Sequence, residues 1–465
     1  MKNILIAIRS IFKKGRHNVM KIVSLGIGLA VGLVLIAKVY FEQSYDDFYP
    51  DRDRVYQVWA KYQQNGGELK DYPQTSGGIA PTMQQQIPEI ETVTRYTSFG
   101  DWTFTMTDTK MKYSGRCIIA DSCFFDILPR PMLIGNAKEV LSTPMYVLIS
   151  SRIAKNIGGD VIGKNFTVDN SPGRTMTIGG VFEEVPENSH SRYDVIVSMA
   201  SAGRFMWEGS PTNMLGNDRY ISYVKLHKGV NPLALEEQVR TFVNSYFPPE
   251  EQQKVGLSID FSFHKLDNLH KELPQVKRMT WILSLLAFAL IFTAVMNYIL
   301  IVISSIVNRS KEVAVHKCYG ASENNIHGMM FGEALVHIVL SLILALLLIL
   351  AFRGTVEELL ATSLDSLLLS NGSLVLLGIC ILVFFVSGFM PGSLYARIPV
   401  ASAFRNYREN KRIWKKALLL VQFVATGFLV TMLVFVARQY TFMVNDRPGY
   451  AYENLAYCGL AGVDS

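Results

Sequence analysis

The feature that most constrains the fold is a set of five long apolar runs, at residues 22–41, 281–307, 331–352, 374–390 and 417–437. A hydrocarbon core about 30 Å thick takes about 20 helical residues to cross, and a span must satisfy its backbone hydrogen bonds internally. The second run carries no charge, whereas the first contains Lys38 near one end. The sequence therefore predicts an integral membrane α-helical protein with five spans.

Basic residues set the orientation of these spans. Residues 1–21 carry six Lys or Arg and no carboxylate, and residues 395–416 carry seven against one Glu. Positive segments stay in the cytoplasm, so the N-terminus is expected inside and residues 42–276 outside. The net charge of +6 then reflects membrane topology and not nucleic-acid binding. We expect Lys38, near the outer end of its span, to reach water with its amine.

The long segment between the first two spans has the pattern of an α+β domain. Alternating runs predict strands at residues 145–150, 175–181, 193–198 and 258–264. One helix is predicted to begin at Pro232 and to bury Leu235, Val239 and Phe242 on one face. Residues 1–21, with apolar side chains between lysines, predict a cytoplasmic interfacial helix.

A charged segment at residues 308–326 lies between the second and third spans. It reads Arg309-x-x-Glu312-Val-x-Val-x-Lys317-x-x-Gly320-Ala321. This pattern resembles the cytoplasmic loop of MacB/FtsX-type ABC transporter permeases, which forms a short coupling helix that docks on the partner ATPase. This chain departs from the family pattern at Ala314 and His316, and an ordinary solvated loop is the alternative. The resemblance implies a role in ATPase coupling for seven residues: Arg309, Glu312, Val313, Val315, Lys317, Gly320 and Ala321.

The resemblance extends over most of the chain. The phrases FFDILPRPMLIG, VIGKNFTV and TIGGVFEEVPENSH are similar to the MacB-like periplasmic domain, which would occupy residues 42–276. An FtsX-like permease domain would occupy residues 277–400. Residues 401–465 look like the start of a second repeat, with the fifth span and an extracytoplasmic tail. We expect a fragment of an eight-span protein, with a complete five-span protein as the alternative.

The sequence contains only weak matches to the patterns of nucleotide-binding, metal-binding and disulfide sites. Residues 158–164 approach a phosphate-binding loop, but Asn165 replaces the hydroxyl that would hold magnesium, and a turn leading into a strand is expected instead. His264 and His270 belong to no cluster of metal-ligand type, so we expect no metal and no cofactor. Cys117 and Cys123 could pair, but two reduced, half-buried thiols are favoured.

These observations predict a permease subunit of an ABC transporter in the bacterial plasma membrane, with no ATPase site of its own. The resemblance implies a cytoplasmic ABC ATPase and a second permease chain or half as partners, and a periplasmic adaptor is a further partner that the class admits. The cargo would be a peptide, a lipoprotein or a lipid. The alternatives are an FtsX-like regulator of cell-wall hydrolases and a transmembrane sensor.

Overall fold

The computed structural model describes residues 17–168, 171–368, 372–396, 399–400 and 413–445. The chain separates into two compact units, one containing Ser44–Pro274 and the other containing the residues on either side of it. Most of the predicted interfacial helix and the tail after residue 445 lie outside the described residues. The first described helix, α1 (Asn18–Gln43), is the first predicted span.

The unit Ser44–Pro274 is built on one mixed sheet, which has eleven strands within the described residues. The strands are β1 (Val55–Gln64), β2 (Lys70–Tyr72), β3 (Ile90–Met106), β4 (Lys112–Ala120), β5 (Met132–Ile134), β6 (Tyr146–Ser150), β7 (Asn165–Val168), β8 (Ser171–Phe182), β9 (Val195–Ser198), β10 (Ile221–Leu226) and β11 (Leu257–Lys265). Their order is β11-β1-β10-β3-β4-β9-β6-β8-β5, with β2 beside β1 and β7 beside β3 and β8. All four predicted strands are present, as β6, β8, β9 and β11.

Seven short helices accompany the strands in the described part of this unit. They are α2 (Ile79–Gln86), α3 (Phe124–Ile127), α4 (Ala137–Ser142), α5 (Ser151–Ile157), α6 (Ala202–Phe205), α7 (Glu236–Tyr246) and α8 (Pro249–Val255). The helix predicted from Pro232 starts as a 3₁₀ turn and becomes α7 at Glu236. Leu235, Val239 and Phe242 are buried in one cluster with side chains of β1 and β11, as predicted from their spacing.

The second unit contains the remaining described helices. They are α9 (Pro274–Ser304), α10 (Ile306–Cys318), α11 (Glu323–Ala351), α12 (Arg353–Leu360), α13 (Leu364–Leu368), α14 (Ser373–Ala396) and α15 (Ile413–Asn445). Among the described residues, five helices are long and apolar enough to span a membrane. They are α1 of the first described segment and α9, α11, α14 and α15 of this unit. Five spans with an α+β domain between the first and the second confirm the fold class predicted from the sequence.

Small residues let α1 approach its neighbours closely. A Cβ atom added to Gly28 would lie 2.2 Å from the Cβ of Ala294 in α9, and one added to Gly32 would lie 2.4 Å from Cγ1 of Ile291. On the α11 side, Ser341 Oγ donates to the carbonyl of Ile22 at 3.1 Å. Close backbone approach and polar contacts of this kind hold helices together where lipid offers no hydrophobic driving force.

The expectation that the amine of Lys38 reaches water was wrong. The side chain is buried, with Nζ 2.7 Å from Oε1 of Glu42 and donating to Oγ1 of Thr362 at 2.8 Å. Glu42 lies one turn further along α1, and Thr362 lies between α12 and α13. A carboxylate and a hydroxyl therefore take the place that the sequence reading gave to water, because a buried charge has to be paired.

Candidate coupling site

The candidate site starts with a break in the helix that leaves the second span. The apolar run continues to residue 307, but α9 ends at Ser304, and α10 begins after Ser305. The hydroxyl of Ser305 donates to the carbonyl of Val302 at 2.6 Å, and buried Tyr395 of α14 donates to the same carbonyl at 3.1 Å. A serine hydroxyl that bonds a carbonyl of its own preceding turn bends a helix. These hydroxyls therefore mark the point at which α9 ends and α10 begins.

Four of the seven predicted coupling residues have described side chains on α10, and they lie in different environments. Val313 is buried, and Lys317 Nζ donates to the carbonyl of Ala396 at the end of α14 at 2.6 Å. The bond from Lys317 therefore holds α10 against α14. Glu312 is half-buried and Val315 is exposed. Arg309 lies in α10, with its side chain outside the described part of the chain.

The end of α10 has the geometry of a Schellman cap. Gly320 has a φ of +85°, its amide donates to the carbonyl of Lys317 at 3.0 Å, and the amide of Ala321 donates to the carbonyl of His316 at 3.0 Å. This pair of bonds satisfies carbonyls at a helix end and requires a left-handed residue, which glycine supplies without strain. Ser322 then caps the next helix by accepting from the amide of Asn325. Gly320 and Ala321 thus stop one helix so that another can start.

The residue directly after α10 is a large exposed aromatic that was not among the predicted coupling residues. Tyr319, the residue before the capping glycine, is 88% exposed. It follows exposed Cys318 and lies one turn beyond exposed Val315. Tyrosine is enriched among the residues that dominate binding energy at protein interfaces. A large aromatic ring in a charged segment between spans was the signal that could have identified it.

The glycine-rich segment at residues 158–164 does not have the architecture of a phosphate loop. Helix α5 precedes it and strand β7 follows it, whereas a phosphate loop runs from a strand into a helix. Lys164 lies 4.0 Å from a carboxylate oxygen of Asp108. The segment is a turn that leads into a strand, as predicted.

The thiols and histidines of the outer unit have structural environments. Cys117 and Cys123 are both free thiols, and burial raises the pKa of each. The ring of His264 stacks on Trp59 at 4.1 Å, and burial lowers the pKa of His264. Within the described ranges, no group of three or more His, Cys, Asp or Glu side chains is placed to hold a metal ion.

Two family models match the chain in sequence order. The model of the MacB-like periplasmic core domain matches residues 20–242, and the model of the FtsX-like permease C-terminal domain matches residues 284–400. The first match runs from α1 through most of the outer unit, and the second contains α10 and the third and fourth spans. No curated protein sequence matches the chain.

Three solved structures are each similar to just under half of this chain. A domain named as that of a permease from Porphyromonas gingivalis is 33% identical, covering 47% of this chain and 91% of that one, with a TM-score of 0.43. The periplasmic region of MacB from Actinobacillus actinomycetemcomitans is 15% identical, covering 47% and 92%, with a TM-score of 0.31. The extracellular domain of the noncanonic ABC-type transporter YknZ from Gram-positive bacteria is 11% identical, covering 44% and 98%, with a TM-score of 0.32.

Proposed function

This chain belongs to the MacB/FtsX-type family of ABC transporter permeases, and we propose that it transmits the movement of a separate cytoplasmic ATPase to its extracytoplasmic domain. It is a multi-pass protein of the bacterial inner membrane with a large periplasmic domain. Permeases of this class associate with an ABC ATPase and dimerise. In this proposal the partner hydrolyses ATP, and this chain changes conformation in response.

The observation that carries the proposal is the two-sided character of α10. Val313 is buried and Lys317 bonds the end of the fourth span, while Val315 and Tyr319 are exposed. A helix with one face packed and one aromatic side chain exposed is suited to fit a groove on another protein. A push on α10 would reach the fourth span through Lys317 and Ala396, and the second span through Ser305.

The proposed work is the export or extraction of a substrate on the outer side of the membrane. A peptide, a lipoprotein or another lipid-linked molecule fits a machine whose largest domain, Ser44–Pro274, lies outside the hydrocarbon core. A second permease chain or half would complete the assembly, and a periplasmic adaptor would extend it. We keep the proposed coupling role for five of the predicted residues and add Tyr319 to them. The five are Arg309, Glu312, Val315, Gly320 and Ala321.

Two variants of α10 test the docking role. Tyr319→Ala should weaken binding of the cognate ATPase by at least about 2 kcal/mol, about thirtyfold in Kd, if the ring is an interface anchor. Glu312→Lys should abolish stimulation of the ATPase, because it reverses a charge on the helix. Binding and ATPase turnover are measured with the permease in nanodiscs.

The matched control is Glu358→Lys, the same charge reversal at an exposed residue of α12, on the side of the membrane predicted to be extracytoplasmic. It should leave ATPase binding and stimulation unchanged, and all three variants should insert into the membrane at the wild-type level. ATPase binding and stimulation that survive both α10 variants would refute the docking role.

A further inference from the structure

The first residues after the first span are held by a loop more than 140 residues further along the chain. Ser44 directly follows Gln43, the last residue of α1, and the loop consists of Asn188, Ser189 and His190 between β8 and β9. We propose that this contact, called here the Asp46 clamp, is the joint through which movement of the first span is transmitted to the outer domain. The inference rests on the proposed function and names the residues that carry out one step of it.

Five hydrogen bonds and an Asp–His contact make up the Asp46 clamp. The amide of Asp46 donates to the carbonyl of Asn188 at 2.9 Å, and Asn188 Nδ2 donates to the carbonyl and hydroxyl oxygens of Ser44 at 2.7 and 3.2 Å. Oδ1 of Asp46 accepts from Ser189 Oγ at 3.1 Å and from the amide of His190 at 3.3 Å. Oδ2 of Asp46 lies 2.7 Å from Nδ1 of His190. Both carboxylate oxygens are therefore bonded to the loop.

The Asp46 clamp is anchored in the middle of the sheet. Asp46 is 0% exposed, and the other ring nitrogen of His190 bonds the hydroxyl of Tyr223 in β10. Ser191 extends the connection to β3, because its hydroxyl shares a hydrogen bond of 2.6 Å with Tyr96. Tyr96 and Tyr223 are themselves buried and stacked. A displacement of residues 44–46 is thus passed to two central strands through buried hydrogen bonds.

The order Asp46, His190, Ser191 is also that of a Ser-His-Asp triad, with 3.1 Å between Ser191 Oγ and His190 Nε2. A nucleophile has to be reached by its substrate, however, and Ser191 is buried with its hydroxyl occupied by Tyr96. The geometry is therefore that of a structural joint, in which the histidine connects a buried carboxylate to a strand.

The segment that leads to the second span contacts the residues on either side of Asp46. The ring of Tyr45 stacks on His270 with 3.4 Å between centroids, and Lys271 Nζ lies 3.2 Å from Oδ1 of Asp47. Residues 44–47 therefore hold both the 188–190 loop and the last segment of the outer unit. This arrangement lets the two membrane-connected ends of the domain move together.

The backbone at Asp46 decides which substitutions test the joint. Asp46 has a φ of +60°, a left-handed conformation that Asn tolerates better than most residues. Asp46→Ala removes every side-chain contact and strains the backbone. Asp46→Asn keeps an oxygen that accepts from Ser189 and His190 and fits the backbone. Asp101→Ala is the matched control, because Asp101 is 78% exposed and lies 3.9 Å from its basic neighbour Arg116.

The experiment uses the full chain with its cognate ATPase in nanodiscs. A spin label at Glu68→Cys, with Cys318 and Cys458 replaced by Ser, reports the distance between the outer domains of two copies with and without ATP. Hydrogen exchange reports the amides of Asp46 and His190, and ATPase turnover is measured in parallel. In Asp46→Ala these amides should exchange about tenfold faster or more, because hydrogen bonds to a buried charge are lost.

The proposal predicts that the distance between the outer domains changes with ATP in wild type and in Asp101→Ala. This change should be lost in Asp46→Ala and recovered in Asp46→Asn. ATPase turnover of every variant should stay within about twofold of wild type. A full distance change in Asp46→Ala, despite faster exchange, would overturn the clamp and leave the proposed function standing. No ATP-dependent change in wild type would overturn both. Should Asp46→Ala fail to fold, Ser189→Ala removes one bond to the carboxylate and is judged by the same outcomes.

Discussion

At the scale of single residues, the outer unit is held by ion pairs between segments distant in the chain. Asp51, just before β1, lies 3.0 Å from Arg54 Nε and 2.6 Å from Lys225 Nζ in β10. Arg54 continues the network to Glu91 and to the carbonyl of Leu226. Hydrogen bonds from Arg54 and Lys225 lower the pKa of Asp51 to about 2.

This lowered pKa makes a pH prediction with a definite sign. A carboxylate whose pKa falls from 3.8 to about 2 on folding stabilises the fold fully above pH ~4, and the contribution is lost as the pH falls from about 4 to 2. Wild type should therefore unfold at a higher temperature than Asp51→Asn at pH 7. This difference in unfolding temperature should disappear by about pH 2.

Thermal unfolding of the full chain in detergent, followed by tryptophan fluorescence between pH 2 and 7, measures this gap. Asp101→Asn, at an exposed position, should track wild type at every pH. An Asp51→Asn gap that stays constant down to pH 2 would show that the network does not depend on the charge of Asp51.

The sequence predicts whether such a residue is charged or lies near the end of a span, but it does not predict which residue it contacts. Lys38 was correctly placed near the outer end of a span, but Thr362, which accepts from its amine, lies 324 residues away. The same holds for Asp46 and the loop at residues 188–190. Charge and hydropathy are properties of one position, whereas a partner depends on the tertiary fold.

At the scale of elements, α1 is defined by its glycines as much as by its apolar residues. Gly28 and Gly32 meet α9, and Gly26 meets α11, where an added Cβ would lie 2.9 Å from Leu344. At Gly28, where the nearest atom is the Cβ of Ala294, a side chain would require one helix to shift, whereas at Gly26 and Gly32 the facing Leu344 and Ile291 side chains would have to move. The packing of the first span between the second and third spans therefore depends on residues with no side chain.

Gly28→Leu should separate α1 from α9 and lower the stability of the helix bundle by about 1–3 kcal/mol, the cost of forcing extra volume into a packed site. Gly378→Leu is the matched control, since no atom lies within 4 Å of the Cβ position at Gly378 of α14. Steric trapping or SDS unfolding in micelles measures the difference. Equal stability of the two variants would contradict the packing described here.

Sequence periodicity and hydropathy identify all five spans but place some of their ends wrongly. The apolar run was taken to residue 307, yet α9 ends at Ser304 because hydroxyls of Ser305 and Tyr395 bond the carbonyl of Val302. Ser305 and Tyr395 are 90 residues apart. The motif falls on α10 and its C-terminal end, but only the fold shows that Val313 is buried, that Lys317 bonds Ala396 and that Tyr319 is exposed.

At the scale of the whole molecule, topology follows from charge. Basic segments flank the first and fifth spans, and residues 42–276 carry 29 Asp or Glu against 23 Lys or Arg. The positive-inside rule therefore predicts that α10 lies in the cytoplasm and the unit Ser44–Pro274 outside.

The native thiol of Cys318 offers a direct test of this topology, because it is exposed on α10. In intact spheroplasts, a membrane-impermeant maleimide should modify Glu68→Cys in the outer unit and spare Cys318, with Cys458 replaced by Ser. Permeabilised membranes should expose both thiols to the reagent. Modification of Cys318 in sealed spheroplasts would reverse the predicted orientation.

The pairing of β1 with β11 has a consequence for how such proteins diversify. Tyr56 at the start of the first strand lies opposite Lys265 at the end of the last one, so the domain's polypeptide leaves and returns within about one strand spacing, roughly 5 Å. Domains with adjacent ends can be inserted into or exchanged between host proteins with little disturbance. Evolution can therefore replace the entire extracytoplasmic module between two helices and inherit the membrane core unchanged, and a chimera joined at Ser44 and Pro274 would follow the same route in the laboratory.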